Sequence, residues 1–148
     1  MRRAFLFLAL SVACSKPDTA KPDASAMSAD MPMMLTDAQM SGTWTGTTMP
    51  MASDSILVRW TQNCGGGSCK GTVEGSKDTV PSTYTISGDS AVGVTTAYVD
   101  PTVSTAKVID TWTLHLKDGR VIGTGMFSLA SKPDSILMRY RFDGSRRP

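Results

Sequence analysis

The sequence predicts an all-β domain, an eight-stranded antiparallel up-and-down barrel, with an open β-sandwich of the same strands as the alternative. Three observations carry this. Short segments with one apolar face recur between turn residues every eight to twelve positions. Glycine and threonine are abundant while Glu74 is the only glutamate, a composition of strands and not of helices. The stretch Val108–Leu129 specifies a whole hairpin by itself: Asp118-Gly119 suits a type I′ turn, in which both central residues need positive φ. Lys117 then faces Arg120. The ladder pairs Leu116 with Val121, Leu114 with Gly123, Trp112 with Gly125, Asp110 with Phe127 and Val108 with Leu129 on a face that is nearly all apolar. His115, Thr113 and Thr111 meet Ile122, Thr124 and Met126 on the other. A hairpin with one buried face needs further strands to cover it.

Taken in order, the domain 41–148 supplies them. Gly42–Thr48 places Trp44 on one face and threonines on the other. Ser55–Asn63 turns Ile56, Val58 and Trp60 inward and Leu57, Arg59 and Thr61 outward. Cys64 and Cys69 flank Gly-Gly-Gly-Ser and form an even pair, which reads as a disulfide across a four-residue hairpin loop in an oxidising compartment. If the two cysteines face each other, Trp60 meets Val73 inside and Arg59 meets Glu74 outside. Ser82–Ser87 carries Tyr84 and Ile86 on one face. A three-residue loop, Gly88-Asp89-Ser90, would let Ile86 meet Val92 and Tyr84 meet Val94. Ala91–Val99 then points Val92, Val94, Thr96 and Tyr98 inward, and Asp100-Pro101 ends it. After the hairpin, Ser135–Asp143 puts Ile136, Met138, Tyr140 and Phe142 inside. The segments Asp54–Trp60 and Asp134–Tyr140 agree at five of seven positions, two strands under one packing demand. Closure removes the edges that eight such strands would otherwise expose, and a barrel of this size holds side chains or one small ligand.

Gly42-Thr43-Trp44 resembles the glycine-x-tryptophan that opens lipocalin and avidin-like barrels, the calycin group. The resemblance implies a calycin-like barrel. The chain lacks the carboxy-terminal helix and second motif of lipocalins and is nearer the avidin type in length. No ligand site is carried over from either.

The amino terminus reads as an address. Residues 1–13 hold Arg2, Arg3 and a ten-residue apolar run, too short to span a bilayer as a helix and of the form of a signal peptide. Leu10-Ser11-Val12-Ala13-Cys14 resembles the lipobox of bacterial lipoproteins, with Ser11 departing from the usual leucine. That implies cleavage before Cys14, acylation of Cys14 and attachment to the membrane through it. Ser15 is not the aspartate that would resemble an inner-membrane retention signal, so outer-membrane anchoring is the expectation if the bacterium has two membranes. Residues 14–40 are rich in Ala, Ser, Asp, Pro and Met and too poor in apolar surface to fold alone, which makes them a linker. As a coil they would span roughly 28 Å.

Function is less legible. Without the first thirteen residues the formal charge falls from +2 to zero, so there is no field for gathering nucleic acid. Chemistry for an enzyme is lacking: His115 is the only histidine and lies on the outer face of its strand, no serine sits in a nucleophile elbow, and the glycines form no phosphate loop. No cofactor is implied. Seven of the ten methionines fall between Met27 and Met51. Thioethers suit Cu(I), and the cluster resembles those of bacterial copper-handling proteins, which nominates Met27, Met31, Met33 and Met34 as metal ligands; apolar docking on the barrel is the alternative. Asp110 is the one charged residue in its inward series. Either it bonds to loop backbone or an arginine, or it anchors a ligand site walled by Trp112, Tyr84 and Trp60, with Trp44 on the same face. Three expectations result: a lipoprotein binding a small apolar or amphipathic ligand, a structural or interaction lipoprotein with a filled barrel, and copper handling.

Overall fold

A computed structural model describes residues 34–76, 78–100 and 102–148. The signal peptide, Cys14 and three of the four nominated metal ligands, Met27, Met31 and Met33, lie outside the described residues.

A four-residue helix α1 (Asp37–Met40) precedes the strands β1 (Gly42–Pro50), β2 (Val58–Gly65), β3 (Ser68–Val73), β4 (Val80–Ser87), β5 (Ser90–Thr95), β6 (Tyr98–Val99), β7 (Lys107–Lys117), β8 (Arg120–Leu129) and β9 (Lys132–Arg146). Every pairing is antiparallel. Strands β1 to β5 follow in order, β5 pairs with β7, and β7, β8 and β9 lead back to β1. This is a closed eight-stranded barrel, not an open sandwich, and its shape is compatible with a calycin-like fold. The two-residue β6 lies on β7 beyond the end of β5.

The β7–β8 hairpin has the expected register from Lys117↔Arg120 to Val108↔Leu129. Asp118 and Gly119 both take positive φ, 52° and 74°, as a type I′ turn demands. Cys64 and Cys69 face each other and are bonded. The strands continue one pair further to Gly65↔Ser68, so the turn is Gly66-Gly67 with φ of 60° and 74°. Trp60 meets Val73, and Arg59 lies 3.8 Å from Glu74. That ion pair is exposed and contributes little; the disulfide, closing so short a loop, is worth about 2 kcal/mol.

Strand β5 has the opposite phase to the one its valines suggest. Ser87 pairs with Ser90 across a two-residue Gly88-Asp89 turn, Ile86 with Ala91 and Tyr84 with Gly93. Val92 and Val94 are therefore outside, 44% and 42% exposed, while Ala91 is buried. The cause is on the next strand. Gly93 pairs with Trp112, and a Cβ on Gly93 would sit 2.1 Å from the Trp112 ring. The indole needs small residues beneath it, and a one-residue slip reverses the whole strand. The phase changes again at Thr96-Ala97, so Thr95 and Tyr98 both face the interior.

Two further inward assignments are corrected at the opposite end. Ile56 and Ile136 are 48% and 43% exposed. Ile56 precedes β2, which begins only at Val58 after Leu57 N–H has bonded to the Thr48 carbonyl at 2.8 Å. In β9 the register jumps from Phe127↔Met138 to Ser128↔Ile136, leaving Leu137 as the extra residue of a bulge. Met138, Tyr140 and Phe142 keep the inward phase; Ile136 does not.

The pole that holds the turns Gly66-Gly67, Gly88-Asp89 and Asp118-Gly119 is stopped by α1. Leu35 and Met40, from the stretch whose composition reads as linker, are buried there. Thr36 and Gln39 form a capping box at the helix start. Trp44 Nε1–H donates to the Met40 carbonyl at 2.8 Å, and the Arg146 guanidinium stacks 4.8 Å from the Trp44 ring while donating to Gln39 O. Asp37 accepts from the Tyr84 hydroxyl and from the Gly66 and Gly67 N–H groups, at 3.0 and 3.2 Å for the latter two. These bonds, Tyr84 first, hold the Asp37 carboxyl below its ordinary value. Its contribution is thus in place above the usual carboxylate range and is lost as pH falls through that lowered pKa. Asp37→Ala is expected to lower the protection of the Gly66 and Gly67 amides against hydrogen exchange several-fold at neutral pH; unchanged protection at both glycines would show that the plug is held by Leu35 and Met40 alone.

Candidate ligand-binding cavity

Above this stopper the barrel keeps a cavity whose water-accessible space is about 70 Å³. One water needs roughly 10–15 Å³ on this measure, so the space admits several waters or one small molecule. Met40, Trp44, Leu114 and Val121 form its floor near the stopped pole. Val58, Trp60, Val73 and Val80, on β2, β3 and β4 toward the other pole, line one side and are only half-buried.

Aromatic rings make most of the opposite wall. Phe127 and Tyr140 lie 4.8 Å apart by ring centroids, Tyr140 and Phe142 6.1 Å, and Trp60 meets Phe142 edge-on at 6.1 Å. Glycines make these contacts possible. Tyr140 pairs with Gly125, where a Cβ would fall 2.2 Å from the phenolic oxygen. The Tyr140 side chain therefore crosses the bare backbone of β8 and reaches β7.

There its hydroxyl donates to Asp110 Oδ1. Asp110 faces the cavity, as the hairpin register requires, and its partner is a tyrosine rather than loop backbone or an arginine. Its own N–H donates to Thr95 Oγ1 at 2.9 Å. Among the described residues the second carboxyl oxygen accepts no hydrogen bond. Burial, only partly offset by the Tyr140 bond and reinforced by the negative Asp100, pushes Asp110 up to about 7. Burial and Asp110 together raise Tyr140 well above the ordinary tyrosine value, which keeps it a proton donor. Tyr98 is raised in the same way by burial and by both aspartates.

Asp100 is the second carboxyl of the cavity. It is buried and accepts from Thr102 N–H at 3.0 Å and Thr102 Oγ1–H at 2.6 Å. Trp112 lines the same space at 4% exposure, and its Nε1–H is the only buried side-chain nitrogen or oxygen without a hydrogen-bond partner among the described residues.

Of the residues nominated from sequence, Asp110, Trp112, Trp60 and Trp44 come together around this cavity. Tyr84 does not. It faces inward, but at the stopped pole, where its hydroxyl is engaged by Asp37 and its ring packs 6.4 Å from Trp112; burial and the Asp37 bond raise it to about 12. Met34, the one nominated metal ligand that is described, is 67% exposed. His115 lies on the outer face, its Nδ1 3.7 Å from Asp89, remote from the cavity. Sequence reasoning missed Tyr140, Tyr98 and Asp100 as companions of Asp110. The β7–β8 register alone could not find them, because they arrive from β9, β6 and a loop. No protein-family model matches the chain, and neither a curated protein nor a solved structure shows a significant match.

Proposed function

We propose that this chain is a lipid-anchored lipoprotein of the bacterial cell envelope whose β-barrel binds one small amphipathic ligand, without catalysing a reaction on it. The observation that carries the binding reading is the cavity itself: an aromatic-walled space inside a closed barrel, with a carboxyl oxygen that no other described side chain satisfies. Such a space, mostly apolar with a few convergent polar groups, is the usual form of a small-molecule site. The anchoring reading rests on the lipobox resemblance at Leu10–Cys14 and the apolar run before it; Ser15, standing where an aspartate would resemble a retention signal, supports the outer membrane in a bacterium that has two membranes.

A second reading, a structural or interaction lipoprotein, is favoured by the modest size of the cavity. Native mass spectrometry of the full-length chain, isolated from its own envelope without denaturation, distinguishes them. A reproducible small-molecule adduct, together with acyl chains on Cys14, is the expected result. A bare polypeptide in repeated preparations would favour the filled barrel. Copper handling by Met27, Met31, Met33 and Met34 is tested by anaerobic Cu(I) titration of the full-length chain and of a variant with these four methionines replaced by leucine; equal uptake by both would sink it.

A further inference from the structure

The cavity is chemically one-sided. Among the described residues its lining includes the carboxyls of Asp100 and Asp110 and the phenols of Tyr98 and Tyr140, but no lysine, arginine or histidine. Four arginines of the barrel are engaged elsewhere: Arg59 on Glu74, Arg120 on Asp143, Arg141 on Asp54, and Arg146 on Trp44 and Gln39 O. A carboxylate held away from water requires a partner. Asp100 has Thr102. Asp110 has a single tyrosine hydroxyl and one oxygen to spare.

We propose that the barrel binds a small organic ammonium ion, with the ammonium against Asp110. This deepens the ligand-binding reading and rests on it. Two features of the cavity fit such a ligand. The free Asp110 oxygen accepts a hydrogen bond from an N–H of the ammonium, a charge-assisted contact. The rings of Trp60, Tyr98, Tyr140 and Phe142 line the space, and an aromatic ring attracts a cation to its face. An anion meets two carboxyls and, among the described residues, no cation, so the same walls reject it.

The groups facing Asp110 are Thr95 of β5, Tyr98 of β6, Asp100 beyond it and Tyr140 of β9. Burial holds Asp110 up to about 7, so ammonium affinity rises with pH as Asp110 ionises and levels off above about 7.

The test uses three probes of matched size that differ in charge: phenylethanolamine, the neutral phenylethylene glycol, and mandelate. All three tryptophans of the chain line the cavity, so intrinsic fluorescence of the full-length protein reports occupancy. Phenylethanolamine is expected to bind at least tenfold more tightly than the glycol at pH 8, with mandelate weakest. Asp110→Asn should abolish that preference and flatten the pH dependence between pH 5 and pH 8, while a cooperative thermal transition shows that the variant is folded. Equal or tighter binding of the glycol or mandelate would overturn the ammonium proposal yet leave the barrel a ligand-binding protein. Failure of all three probes, with no adduct in native mass spectrometry, would overturn both.

Discussion

Asp110→Asn is expected to make the barrel more stable at pH 8, by about 2 kcal/mol, and to remove most of the pH dependence of unfolding between pH 4 and pH 7. The folded chain holds the Asp110 carboxyl up to about 7, against 3.8 when exposed. Between those values the folded state binds more protons than the unfolded one. The stability tied to the neutral carboxyl is therefore complete below pH 4 and lost as pH rises through 7. Three pH units would correspond to about 4 kcal/mol if water were wholly excluded; Asp110 keeps some surface toward the cavity, which halves the expectation. Asparagine retains a carbonyl oxygen for the Tyr140 hydroxyl and carries no charge. In a domain of this size the gain corresponds to a thermal midpoint higher by roughly 10 °C at pH 8, with little change at pH 4. A variant that melts at or below the parent at pH 8 would mean that ionised Asp110 is well solvated in the fold. A residue whose removal stabilises a protein is a frequent mark of a functional site.

Gly93→Val is expected to destabilise the barrel by at least about 3 kcal/mol, because its Cβ would meet Trp112 ring carbons at 2.1 and 2.4 Å. The ring cannot yield toward the sheet, and yielding inward would fill the cavity. The neighbouring Val92→Thr, on the exposed outer face, should change stability by no more than about 0.5 kcal/mol. Urea denaturation of the two variants decides which face of β5 is inside. If Val92→Thr were the costly change and Gly93→Val the mild one, the strand would have the phase its valines suggest.

That strand marks where reading the sequence stops working. Hairpins set by their own turns are legible: Asp118-Gly119 places ten residue pairs in register, and Cys64 with Cys69 places six. In β5 the local alternation Val92, Val94 points one way, but the bulk of Trp112, a residue on another strand, decides the outcome. The same holds for the bulge at Leu137, which costs Ile136 its place inside. The candidate site divides along this line. Asp110, Trp112, Trp60 and Trp44 are found from alternation within single strands. The bond from Tyr140 to Asp110 spans β9, β8 and β7 and depends on Gly125 having no side chain. No periodicity within one segment contains that information. The stopper formed by Leu35 and Met40 was hidden differently, since two apolar side chains are enough to seat a stretch whose average composition is that of a linker.

The stopper also gives the molecule a direction. Chain enters the barrel through α1, at the pole where Asp37 grips the Gly66-Gly67 turn, and leaves beside it, where Arg146 pairs with Trp44. Both ends of the described chain therefore emerge from one pole, while Met51, Ile56, Val99 and Leu137 stand exposed around the other. Whatever holds the residues before Met34 holds the barrel by its stopped end. The opposite rim, with its apolar side chains, faces away from the pole where both ends of the described chain emerge, as the bowl of a spoon faces away from the hand.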